Sequence, residues 1–315
     1  MKKLIRKMSI ACIALTMLAC SKDDNTTTLP TITDIAVDNP DFSILVQALT
    51  RTNLAGTLDD NSKQFTVFAP TNAAFNTFFS SLGAGVNVNN VDENVLKAIL
   101  LNHVLGEEIK SSALPAATYA STLSPFNTSA NAPTISMFVQ KSGSVVTING
   151  GSANGGATVT SADLDASNGV IHVVSNVIAI PTIKNHAVAN PNFSTLTSLL
   201  VDQDLAATLD GTAGSPFTVF APLNTAFDTA TLNLYTGLSS ENKTAVLLYH
   251  VVGGVNVRSN AIPAGNITTL QGQSFSITGT VIDDASGVNK NIVLTDVQCS
   301  NGVVHAIDKV LLPNL

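Results

Sequence analysis

Apolar residues recur along this chain with two alternating periods. After Asn39-Pro40, residues Phe42, Leu45, Val46 and Leu49 stand at i, i+3, i+4 and i+7. That spacing predicts an amphipathic helix capped by Asn39, with Pro40 in the first turn, where a missing N–H costs nothing. Asn190-Pro191 opens a second run of this kind, keeping Phe193, Leu196 and Leu200 and softening the stripe with Thr197. Phe65 to Phe68 is a short run of apolar and β-branched residues and predicts a strand, stopped by Ala69-Pro70 because proline has no ladder donor. Thr71 or Asn72 is placed to cap a following helix whose Phe75, Phe78 and Phe79 share one face. From Val170 to Val174 both alternating sets are largely apolar, which predicts a strand covered on both faces. Asn168-Gly169 before it is the dipeptide of tight hairpin turns with positive φ.

The pattern is written twice. FTVFAPTNAAF at 65–75 returns as FTVFAPLNTAF at 217–227, with nine of eleven positions identical, so Phe65, Pro70, Asn72 and Phe75 correspond to Phe217, Pro222, Asn224 and Phe227. Leu100-Leu101-Asn102-His103-Val104 returns as Leu247-Leu248-Tyr249-His250-Val251. Asn168-Gly169-Val170-Ile171-His172 returns as Asn301-Gly302-Val303-Val304-His305. Blocks in one order at unequal offsets predict two homologous globular domains with different loops, at 34–181 and 182–315. The stretch from Thr182 to Ala189 reads as a short linker at the head of the second.

Residues 1–19 are set aside from the fold. Four basic residues precede Met8 to Ala19, an uncharged run of twelve residues ending before Cys20. As a helix it spans about 18 Å, short of a bilayer core, so it predicts an export signal. MLAC resembles the lipobox of bacterial lipoproteins, which makes Cys20 the expected site of lipidation and 20–33 a flexible tether. Cys-Ser-Lys-Asp-Asp also resembles the signal that sends Bacteroidetes lipoproteins to the outer face of the outer membrane. Removing 1–19 leaves 11 basic against 22 acidic residues, a net charge of −11 that disfavours nucleic acid and anionic lipid headgroups. Of three cysteines only Cys299 then remains free, and no intrachain disulfide is open to the mature chain.

The strand-turn-helix stretch, the Tyr-His or Asn-His step and the Asn-Gly-Val-x-His strand, in this order and twice, resemble the fasciclin (FAS1) domain. The resemblance implies an α+β fold: two tandem fasciclin-like domains, each a β-wedge of small sheets packed with several helices. It also implies an adhesion or matrix protein without catalytic activity or cofactor. The family's Tyr-His step is Tyr249-His250 in the second domain but Asn102-His103 in the first, which makes these four residues candidate contacts. Phe126, in the polar, proline-punctuated loop Ser124 to Thr134, is a fifth.

The candidate chemistry weighs against catalysis. His103, His172, His250 and His305 are repeat-matched, but without repeated Cys, Asp or Glu beside them they fall short of a zinc site and read as buried neutral rings. Asp163 and Asp165 lack the glycine register and the terminal glutamate of a calcium loop; Asp163 and its match Asp296 read as turn or strand-end residues. Gly150 to Asn154 is no nucleophile elbow, since the second glycine is missing, and reads with Gly155-Gly156 as a loose hairpin loop. Cys299 aligns with Ala166 and reads as filler. The expectation is a lipid-anchored adhesion protein on the cell surface. Its partner is a surface or matrix protein or a polysaccharide, and it meets the membrane through the anchor alone. A glycan-binding or nutrient-capture accessory protein is the alternative, and a histidine-dependent hydrolase a third.

Overall fold

The computed structural model describes residues 29–211 and 213–315. The expected signal peptide, Cys20 and most of the tether lie outside the described residues.

The first domain starts earlier than the composition suggested. Thr31 caps α1 (Ile32–Asp38) in a reciprocal box with Asp34, and the Pro30 carbonyl accepts from Ser167 N–H (2.9 Å). Asn39 caps a single 3₁₀ turn with Pro40 at its head, which runs into α2 (Ser43–Arg51), as its spacing predicted. Then come α3 (Ala55–Leu58), β1 (Phe65–Pro70), α4 (Asn72–Leu82) and α5 (Glu93–Asn102). Strand β1 carries on through Pro70, paired with Val174; at the last position of a strand the missing N–H breaks no ladder. The rest is β2 (Val104–Leu105), β3 (Ala117–Pro125), β4 (Thr134–Ser142), β5 (Val145–Ile148), β6 (Ala157–Ala166) and β7 (Gly169–Val174). These seven strands close into a barrel in chain order, β1 lying parallel to β7.

The second domain repeats the plan with α6 (Ile183–Ala189), α7 (Ser194–Asp202), β8 (Phe217–Pro222), α8 (Thr229–Thr236), α9 (Ser240–Leu248) and β9 (Val251–Val252). It ends with β10 (Asn266–Thr268), β11 (Ser274–Thr278), β12 (Val281–Asp283), β13 (Lys290–Cys299) and β14 (Gly302–Ile307). Its sheet runs β10-β11-β12-β13-β14-β8-β9, with β14 parallel to β8. The helix matching α4 is broken: a 3₁₀ turn at Asn224–Ala226 precedes α8, which Asp228 caps. The expected wedge is therefore a closed barrel in one domain and an open seven-stranded sheet in the other.

Strands β1 and β8 explain why one stretch is written twice. Phe65, Val67 and Ala69 point into a core shared with Phe42, Leu45, Leu49 and Phe75, while Phe68 points the other way, against Leu105, Met137 and Ile148. Phe217, Val219 and Ala221 repeat the first face and Phe220 the second. Each copy is the strand between two apolar layers, so every side chain along it is buried.

Thr182 to Ala189 is a helix and not a linker. Thr182 and Asn185 form the same capping box as Thr31 and Asp34, and α6 turns its buried His186 and Ala189 toward the first domain. There the half-buried Tyr119 ring of β3 packs against Phe138 (4.9 Å between centroids) and His186 (5.4 Å), and its hydroxyl accepts from Asn190 Nδ2 (3.3 Å). Gln298 N–H donates to Ser136 Oγ (2.9 Å), and Asn154 Nδ2 donates to the Asn185 carbonyl (2.7 Å). The glycine-rich stretch around Ser152 is thus part of this docking face, with Gly150 against Ala189.

Candidate functional site

The repeat-matched polar residues each hold backbone. Asn72 Oδ1 accepts from Ile44 N–H and its Nδ2 donates to the Pro40 carbonyl; Asn224 does the same for Thr195 and Pro191. The helix cap itself comes from Thr71. Asn168 joins Ile32 N–H to the Leu58 carbonyl, and Asn301 joins Ile183 N–H to the Leu209 carbonyl. Glycine follows each for a reason other than turn type. Only Gly169 (φ +141°) and Gly302 (φ +152°) have positive φ in these turns, and they lie against the backbone of Phe65 and Phe217, where a Cβ would collide.

The histidines are clips of the same kind. His103 Nδ1 lies 2.7 Å from the Ile99 carbonyl and its Nε2 accepts from Ile178 N–H (2.8 Å). His250 repeats this with Val246 (2.8 Å) and Leu311 (2.9 Å). A ring that donates on one side and accepts on the other must be neutral, and burial pushes both rings down to about 4. His172 and His305 join the carbonyls of Ile109 and Val257 to the amides of Asp163 and Asp296. Those two aspartates sit in bulges of β6 and β13 with φ of 60° and 64°, inside the strands and not at their ends. Burial works to raise the Asp296 carboxyl, but the hydroxyl and N–H of Ser259 hold it below the ordinary range; Ser111 does the same for Asp163.

Four of the five candidate contacts are therefore corrected. Asn102, His103, Tyr249 and His250 are each at most 3% exposed. Asn102 donates to the carbonyls of Ile178 and Ala179, and the Tyr249 hydroxyl donates to the Ser274 carbonyl. Side chains so enclosed present nothing to a partner. We expect His250→Ala to cost about 1–3 kcal/mol, since it leaves a void and strips the Leu311 amide of its acceptor. Calorimetry checks this, and added zinc is expected to leave the melting temperature of the parent chain unchanged.

Phe126 is half-buried at the base of the expected loop, its N–H on the Pro133 carbonyl (2.7 Å). The insertion is larger than that loop. Strands β3 and β4 have nine residues each, against three in β10 and five in β11. The longer hairpin supplies Tyr119 and Ser136 to the domain interface, and its tip forms two open clefts. One, of about 570 Å³, is an apolar groove against α5 with Val95, Leu101, Pro125 and Ile180 in its walls. The other, about 420 Å³, is polar and lies between the domains, where Ser121, Asn131 and Thr134 face Arg258, Asn260 and Asp296. Arg258 reaches Asp296 at 3.4 Å. Sequence reasoning missed Ser121, Arg258 and Asn260, because only the docking of two domains brings them together. It also missed the buried pair of Lys290 and Asp284; Asp284 in turn holds the Leu312 amide.

A family model of the fasciclin domain matches residues 40–181 and 191–313. The chain belongs to the fasciclin-domain family and carries two such domains in tandem. It is similar to a solved FAS1 domain pair from the insect cell adhesion molecule fasciclin I, with a TM-score of 0.55 and 22% identity over 87% of this chain and 98% of that one. Protein sll1483 of Synechocystis is 39% identical over 137 residues, 42% of this chain and 73% of that protein. The cell surface glycolipoprotein MPB83 of Mycobacterium bovis is 37% identical over 134 residues, 39% of this chain and 57% of that protein. Among the described residues no helix is long and apolar enough to cross a membrane.

Proposed function

We propose that this chain is a non-catalytic adhesion protein, held to the outer membrane by a lipid on Cys20 and displayed on the cell surface. The observation that carries the reading is the docked pair of fasciclin domains, similar in fold to a pair from a cell adhesion molecule. The repeat-matched polar residues support it, since each is engaged in holding backbone. The contact surface is the β3–β4 hairpin with the polar cleft at its tip. A lining of amide, hydroxyl, guanidinium and carboxylate groups suits a hydroxyl-rich polysaccharide better than an apolar partner.

Cys20→Ser is expected to give an uncleaved or released product and to abolish adhesion of the cells to immobilised matrix polysaccharide. Cell fractionation and an adhesion assay read both. If added protease cuts the domains in lysed cells but spares them on whole cells, surface display is wrong.

A further inference from the structure

The second domain contains a cavity of about 60 Å³ between α6, α7 and the turns at 205–211. Ala187, Phe193, Leu196, Leu200, Leu209 and Val304 supply much of its wall, which is almost wholly apolar. Thr197 also faces it, its hydroxyl taken up by the carbonyls of Phe193 (3.2 Å) and Ser194 (2.9 Å), and the buried His186 ring is a further polar side chain in the wall. The first domain has the same cavity on the matched residues Ala36, Phe42, Leu45, Leu49 and Leu58, yet there it measures only about 20 Å³. The chain beside the two cavities also differs, the helical turn of α3 in the first domain standing where the second has only turns.

The second cavity also has an entrance. Lys184, Val201 and Ala206 belong both to its wall and to an open vestibule of about 490 Å³, which adds Asp204 and Asp210. Val201 is exposed at this mouth. Lys184 lies 2.9 Å from Asp210, so one aspartate is left over and the vestibule carries a net negative charge.

We propose that this cavity is a binding site for the aliphatic end of an uncharged amphiphile, whose polar head rests in the vestibule. The size selects the tail: a cavity of about 150 Å³ accepts benzene, and one of less than half that volume takes a chain end but no aromatic ring. The charge disfavours an anionic head, which Asp204 and Asp210 repel. The site is independent of the adhesive cleft, which lies across the domain interface. It separates the two domains by function, since the collapsed cavity of the first has no room for a chain.

Titrating the full chain with 1-octanol tests this, followed by methyl NMR and by the melting temperature. We expect saturable shifts at Leu196, Leu200 and Val201, none at Leu45 or Leu49, and a raised melting temperature. Octanoate is expected to bind at least tenfold more weakly, and equal or tighter binding overturns the proposal. Ala187→Leu, which fills the cavity, should weaken octanol at least tenfold. If that variant melts lower than the parent, Val201→Glu at the exposed mouth reads the same loss without touching the core. Unsaturable shifts spread over both domains, or variants that bind as the parent does, overturn the proposal.

Discussion

Replacing Gly302 with alanine is expected to unfold the second domain. A Cβ at that position would stand 2.1 Å from the Phe217 carbonyl oxygen and 2.7 Å from its nitrogen, and neither can move without parting β14 from β8. The positive φ adds strain that only glycine avoids. Both costs fall where the two inner strands of the sheet begin their register, so we expect a loss above about 4 kcal/mol, the range reserved for outright steric conflict. Gly169→Ala should do the same to the first domain, where the Phe65 carbonyl oxygen would be 2.0 Å away. Gly56→Ala is the control: it lies in α3 with nothing within 4 Å, and should be neutral or stabilise by up to about 1 kcal/mol. Urea denaturation of the three variants separates these outcomes. A Gly302→Ala chain with the parent midpoint would show that the strand pairing is wrong.

Acid is expected to have the second large effect. Burial holds His103, His186 and His250 at about 4, against 6.5 for a free ring. Between those values the unfolded chain binds three protons that the folded chain excludes. Stability is then full above pH 6.5 and lost as the pH falls toward 4, with a slope approaching 4 kcal/mol per pH unit, on the order of 1.36 for each group. Urea midpoints measured from pH 8 to 4.5 check this. His186→Phe, at the domain interface, should lower the slope by about a third. A flat profile through pH 5 would mean that the rings are open to protons, and would undo the assignment of His103 and His250 as neutral clips.

What could be read from the chain followed how local each cause was. The Asn-Pro caps, the apolar stripe of α2 and the repeated strand were legible because each rests on residues within one turn or one strand. The glycine after Asn168 was found but misexplained: the dipeptide spoke for a turn, while the actual demand comes from the Phe65 backbone, about a hundred residues away in sequence. Helix α6 carried a readable signal in the match of Thr182 and Asn185 to Thr31 and Asp34. Its position between two repeats suggests a connector instead. The domain interface left no such trace. Tyr119 and Ser136 lie on a hairpin of mixed polarity, and nothing in β3 or β4 alone announces that His186 and Gln298 will cover them. Burial likewise took Tyr249 and Asn102 out of consideration as contacts, since a motif shared within a family marks a fold as readily as a ligand.

In each domain the final strand lies parallel to the first and beside it. Tension that pulls the start of one against the end of the other therefore runs along the strands, and the evenly spaced hydrogen bonds between them share the load instead of opening one by one. The clamp residues Asn168 and Asn301 tie the incoming helices to the same seam.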